Sequence, residues 1–135
     1  MDPKIKEYFD GVVTLAQATF ERVEYVVDAT PQRAILRLEA HYGDFRVFIV
    51  ELFSDKMRKY RYYLLRGDWV EAGFDNSPDP RAIRLKYGKI RKKNVGENVP
   101  HLHLENKARL TLTHEMTFAD FVEWLNTAFR KATPL

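Results

Sequence analysis

The chain has 135 residues, 45% of them hydrophobic, with 9 Phe, 7 Tyr and 2 Trp; that suits one folded domain and excludes a disordered chain. It contains no cysteine, which excludes a disulfide scaffold, a thiol nucleophile and a thiolate metal site. The formal charge of +3 hides an asymmetry: residues 81–93, RAIRLKYGKIRKK, hold seven basic residues and no acid, leaving 15 basic against 19 acidic residues elsewhere.

Asp2-Pro3 is a helix start, with a side-chain acceptor at the cap and proline at the first helical position. Ile5, Tyr8, Phe9, Val12 and Leu15 follow at helical spacing, so residues 3–18 are read as a helix with a weak point at Asp10-Gly11. From Phe20 the period becomes two. Five strands are read over 20–27, 33–41, 45–53, 59–65 and 69–75, joined by short polar turns. Connections this short leave no room for crossover helices, so the strands form an antiparallel meander. Residues 76–100 break the rhythm with Pro78, Pro80, Gly88, Gly96 and Pro100 and read as a long, basic, partly irregular insertion or arm. Within it, the alternation of Ile83, Leu85 and Tyr87 suggests a short strand over 83–92. His101–Glu105 and Ala108–Thr113 also read as extended. Thr117 with Asp120 forms a capping-box pattern. Phe118, Phe121, Val122, Leu125 and Phe129 then mark one apolar helical stripe, with Arg130 and Lys131 late and Pro134 as the stop. The expected fold is a single α+β domain: one antiparallel sheet of five to seven strands with an N-terminal and a C-terminal helix. Its apolar runs fall short of the roughly 18 residues of a membrane span. Nothing at the N-terminus reads as a signal peptide, so a cytoplasmic protein is expected.

The residues from 60 to 125 carry a further pattern. YRYYLLRGD, FDNSPD, PHLH and MTFADFVEWL place a Tyr-rich strand, a Gly-Asp turn, an Asp-Asn-x-Pro motif, a histidine cluster and a capped helix in that order. In this the chain resembles the TumE-type toxins of prokaryotic toxin–antitoxin pairs. The resemblance implies a toxin-like activity and a cognate antitoxin partner. It assigns Asp75, Asn76 and Pro78 to the Asp-Asn-x-Pro motif and His101 and His103 to the histidine cluster. Glu51 and Tyr62 take the places of a strand acid and a strand aromatic. The chain departs from the pattern after Pro78: Asp79 and Pro80 stand where the family has histidines.

The residue chemistry leaves several readings open. His101 and His103, two apart on a strand, project from one face. One imidazole can serve as base and the other as acid in cleaving RNA, with a lysine or arginine stabilising the charge on phosphorus. They can instead ligate a metal, with Glu105 in line or with a distant group among Asp75, Asp79 and His114. Or they are two solvated surface side chains. Asp75-Asn76-Ser77-Pro78-Asp79 is first a turn; Asp75 or Asn76 at a strand end can also orient an imidazole. Arg84, Lys86, Tyr87, Lys89, Arg91, Lys92, Lys93 and Lys107 suit a phosphate backbone, with Tyr87 stacking on a base. The same charges suit an acidic protein partner or a merely solubilising loop. Glu51, alone among apolar neighbours, calls for an ion pair with Arg46, Arg58 or Arg61. The leading expectation is a toxin-like RNA-binding protein, a ribonuclease using the histidine pair without metal or cofactor, with homodimerisation open. The alternatives are a non-catalytic partner-binding or regulatory module and a metal-dependent hydrolase.

Overall fold

The computed structural model describes residues 1–55 and 57–128. The elements are α1 (Pro3–Thr19), β1 (Glu21–Ala29), β2 (Arg33–Tyr42), β3 (Phe45–Ser54), β4 (Met57–Arg66), β5 (Trp69–Asp75), α2 (Pro80–Tyr87), β6 (His101–Leu104), β7 (Arg109–Leu112) and α3 (Phe118–Ala128). The strands form one antiparallel sheet in simple sequence order from β1 to β7. The expected fold class is therefore what the chain adopts, with α2 as an additional internal helix. Phe129, Arg130, Lys131 and Pro134 lie outside the described residues.

Local chemistry sets the helix ends. Asp2 accepts from the Lys4 amide at 2.7 Å, and α1 runs without a break through Gly11. The Thr117 hydroxyl accepts from the Asp120 amide at 3.1 Å while the Asp120 carboxylate accepts from the Thr117 amide at 2.9 Å, a reciprocal capping box.

The two faces of the sheet differ. One carries Leu36, Leu38, Ile49, Tyr60, Tyr62, Leu64 and Phe74, packed against Phe9, Val12 and Ala16 of α1 and Phe118, Phe121 and Leu125 of α3. The two terminal helices thus cover the same face. Within this core Glu51 is fully buried. It accepts from Tyr8 at 2.6 Å, from Tyr62 at 2.5 Å and from Arg58 at 3.1 Å. Arg58 is the partner that the sequence left among three arginines. Burial pushes the Glu51 carboxyl upward, against the pull of Arg58 and the two phenols; with donors on every side, the carboxylate is the form the network suits.

The other face is covered at one end only. There α2 and the segment before β6 bury Ala82, Ile83 and Val99 against Leu110 of β7. The strand expected over 83–92 is replaced by this helix and a 3-10 turn, Lys92–Asn94. The signals for the helix were present. Asp79 caps it by accepting from the Arg81 amide at 2.8 Å, Pro80 occupies its first turn, and Gly88 follows its last residue at φ 84°, a conformation that suits glycine. The apparent alternation misled, because Leu85 and Tyr87 are exposed.

Two measurements test these supports. Thr117→Ala is expected to lower unfolding stability by about 1 kcal/mol through loss of the α3 cap, read as a lower urea midpoint. Glu51→Ala strands the Arg58 guanidinium and is expected to cost about 3 kcal/mol; an unchanged midpoint would refute that role.

Candidate metal centre

The partly covered face holds the site. β5 and β6 pair so that Asp75 lies opposite His101 and Gly73 opposite His103. Residues opposite one another in an antiparallel pair project to the same side, so one row on each strand supplies Asp75, His101 and His103. One ligand atom from each of these three falls within 4.8 Å of the others. All three side chains are buried, at 6%, 1% and 4% exposure.

The hydrogen bonds identify which atoms are free. His101 Nδ1 lies 2.6 Å from the Val99 carbonyl oxygen. A carbonyl only accepts, so Nδ1 carries a proton and Nε2 is the nitrogen turned toward His103. That is the arrangement of a metal-ligating histidine whose far nitrogen donates to a backbone carbonyl. His101 Nε2 and His103 Nε2 are 3.1 Å apart. Two nitrogens on one tetrahedral zinc, each about 2.05 Å from the ion, stand about 3.3 Å apart. Nδ1 of His103 is buried and has no hydrogen-bond partner among the described residues, an unmet demand that costs free energy.

Burial decides the charge of one donor. Burial, then the charges of His101 and Lys107, pushes the His103 imidazole down to about 4, so at neutral pH it is uncharged. Asp75 Oδ1 accepts from the Ser77 amide at 2.6 Å, and Oδ2 lies 3.5 Å from the Tyr63 hydroxyl and 3.6 Å from Arg61 Nε. Burial, followed by the Asp75 charge, pushes the Tyr63 phenol up to about 12; it stays protonated and donates. Burial works against the charge of Asp79, but the Arg81 amide and guanidinium hold its carboxyl below the usual range. Gly73 makes room for this packing: a Cβ there would stand 2.9 Å from the Tyr63 ring.

This geometry overturns the metal-independent acid–base pair. The two Nε2 atoms face each other at 3.1 Å, leaving no space for a phosphate between the rings. His103, pushed down to about 4 by burial, is uncharged at neutral pH and so is not an imidazolium acid. The third donor, Asp75, makes the cluster competent to hold a metal ion.

The other sequence candidates fall elsewhere. Asn76 is buried, but its side chain accepts from the Tyr60 amide at 3.1 Å and donates to the Arg58 carbonyl at 2.9 Å and to Glu115 at 3.2 Å; it ties strands together on the core side. Glu105 is exposed and paired with Arg109 at 3.0 Å, and exposed His114 stands 4.0 Å from Asp120. Arg84, Lys89, Arg91, Lys92 and Lys93 are exposed. Lys86 pairs with Glu97 at 3.1 Å, and the Tyr87 hydroxyl donates to the same carboxylate. Lys107 alone of that set has its ammonium over the Tyr63 ring, 5.3 Å from the centroid. The sequence reasoning passed over Arg61 and Tyr63 as neighbours of Asp75; strand alternation along 59–65 could have paired them with it.

No protein-family model, curated protein or solved structure matches the chain. The TumE-type resemblance therefore rests on the quoted motifs alone. No helix among the described residues is long and apolar enough to cross a membrane.

Zinc ions added to about 100 times their Kd are expected to stabilise the folded chain by about 2.7 kcal/mol, seen as a rise in Tm. Asp75→Asn and His103→Gln should abolish the rise and His114→Gln should keep it. Circular dichroism checks that each variant is folded. An equal rise in all four proteins would refute the assignment.

Proposed function

We propose that the chain is a metal-dependent hydrolase whose Asp75, His101 and His103 hold a divalent first-row ion, zinc by the chemistry of the donors. The observation that carries this reading is the convergence of two imidazoles and one carboxylate, with one ligand atom of each within 4.8 Å of the others. Borderline ions favour such mixed nitrogen and oxygen donors. Three protein ligands leave a fourth position, as catalytic rather than structural zinc sites do. An ion held there supplies Lewis acidity and a water acidic enough to attack near neutral pH.

The chain's own groups have distinct tasks in this reading. The Val99 carbonyl holds His101 in the ligating tautomer. Tyr63 and the Ser77 amide orient the Asp75 carboxylate. We also propose kinship with the TumE-type proteins, and with it a cognate protein partner. A second reading, a partner-binding module, draws on β1. It is an edge strand whose Tyr25, Val26 and Val27 are 48%, 63% and 40% exposed, and such an edge can accept a strand from another chain.

Hydrolysis of p-nitrophenyl phosphate and p-nitrophenyl acetate tests the main reading. Turnover is expected with zinc, falls to background with EDTA and returns when zinc is restored; Asp75→Asn stays at background throughout. Zinc uptake without turnover of any ester in a wider panel would exclude the hydrolase and favour the partner-binding module.

A further inference from the structure

Around the buried triad the rim is cationic, and its cations are held in place. Arg61 stands on β4 in the row that pairs with Asp75. Its side chain is 56% exposed while its Nε lies 3.6 Å from Asp75 Oδ2. Lys107 stands in the turn between β6 and β7. Three successive residues there, Glu105, Asn106 and Lys107, take φ of 51°, 54° and 71°. Non-glycine residues adopt that region at a cost, and surrounding structure must hold them there. The holding contacts are present. Asn106 Oδ1 accepts from the Val70 amide at 3.0 Å, and the Asn106 amide donates to the Val70 carbonyl at 2.8 Å. Arg81 Nη1 donates to the Lys107 carbonyl at 2.7 Å. The Lys107 side chain ends over the Tyr63 ring, whose hydroxyl reaches Asp75. Among the described residues Lys107 forms no salt bridge with a carboxylate. The nearby acid, Asp79, is already matched by Arg81 at 3.7 Å.

We infer that the rim formed by Arg61, Tyr63 and Lys107 receives an oxyanion, the phosphate or carboxylate group of an anionic substrate; this rests on the hydrolase reading above. A divalent ion in the triad meets one carboxylate charge, so the site is left net positive. Arg61 and Lys107 add to that charge on the same side. Only an anion satisfies it without a further protein group. Arg61 offers a planar fork of donors to an oxyanion, and Lys107 a point charge. The Tyr63 ring between them bounds the position. The triad itself is nearly inaccessible, so a ligand meets it by way of the rim. The strained turn keeps the Lys107 backbone in place before the anion arrives.

The test uses the full chain loaded with one equivalent of zinc and freed of excess metal, titrated calorimetrically with inorganic phosphate and, separately, with acetate. Saturable binding of either anion to the wild type is expected, and the tighter of the two identifies the source of the oxyanion. Lys107→Met and Arg61→Met should each weaken it about tenfold while Lys107→Met retains zinc affinity. Lys89→Met, an exposed cation on another segment, should leave anion affinity unchanged. Zinc uptake without anion binding, or equal weakening by Lys89→Met, would overturn the oxyanion rim alone. Failure of the wild type to take up zinc would overturn the hydrolase reading and this inference with it.

Discussion

The antiparallel pairing of β5 with β6 governs everything of chemical interest in this chain. It sets Asp75 opposite His101 and Gly73 opposite His103. A slip of one residue would turn both imidazoles to the opposite face, which belongs to the packed core. The register is held from both faces. Phe74 and Leu102, one residue out of phase with the ligands, belong to the main core under α1 and α3, so burying them aims Asp75, His101 and His103 the other way. The hydrophobic effect thereby orients a polar cluster that it would not by itself tolerate.

The buried polar groups are divided between the two faces with different chemistry. Glu51 is met by donors on every side, from Tyr8, Arg58 and Tyr62, and its demand is closed. The Asp75–His101–His103 cluster is not closed. Nδ1 of His103 has no hydrogen-bond partner among the described residues. A satisfied buried network rigidifies a core; an unsatisfied one in a partly covered site calls for a ligand. The contrast separates a closed buried network from an open one, although both acids sit on strands.

The basic segment 81–93 takes a different part from the one its charge suggests. Its first residues become α2, which buries Ala82 and Ile83 with Val99 against Leu110 of β7. Its cations face outward, and Lys86 is already paired with Glu97. Lys107, whose ammonium lies over the Tyr63 ring, stands outside the run. It comes close because the turn after β6 folds back onto Val70.

By itself the sequence determined the α+β class, the meander, the capped helices α1 and α3 and the shortlist Asp75, His101 and His103. Each rests on interactions between residues near in the chain: periodicity, caps and tight turns. It did not determine that Asp75 meets the two histidines, that Asn76 turns away to clamp Tyr60 and Arg58, or that 80–87 is helical. Between Asp75 and His101 lie 25 residues of connection, and no turn rule sets a register across such a span. Only the tertiary structure decided it, because the pairing follows from burying Phe74 and Leu102 on one face and Ile83, Val99 and Leu110 on the other. The same non-local packing brought a pair of histidines, legible as an acid and a base, beside a buried carboxylate.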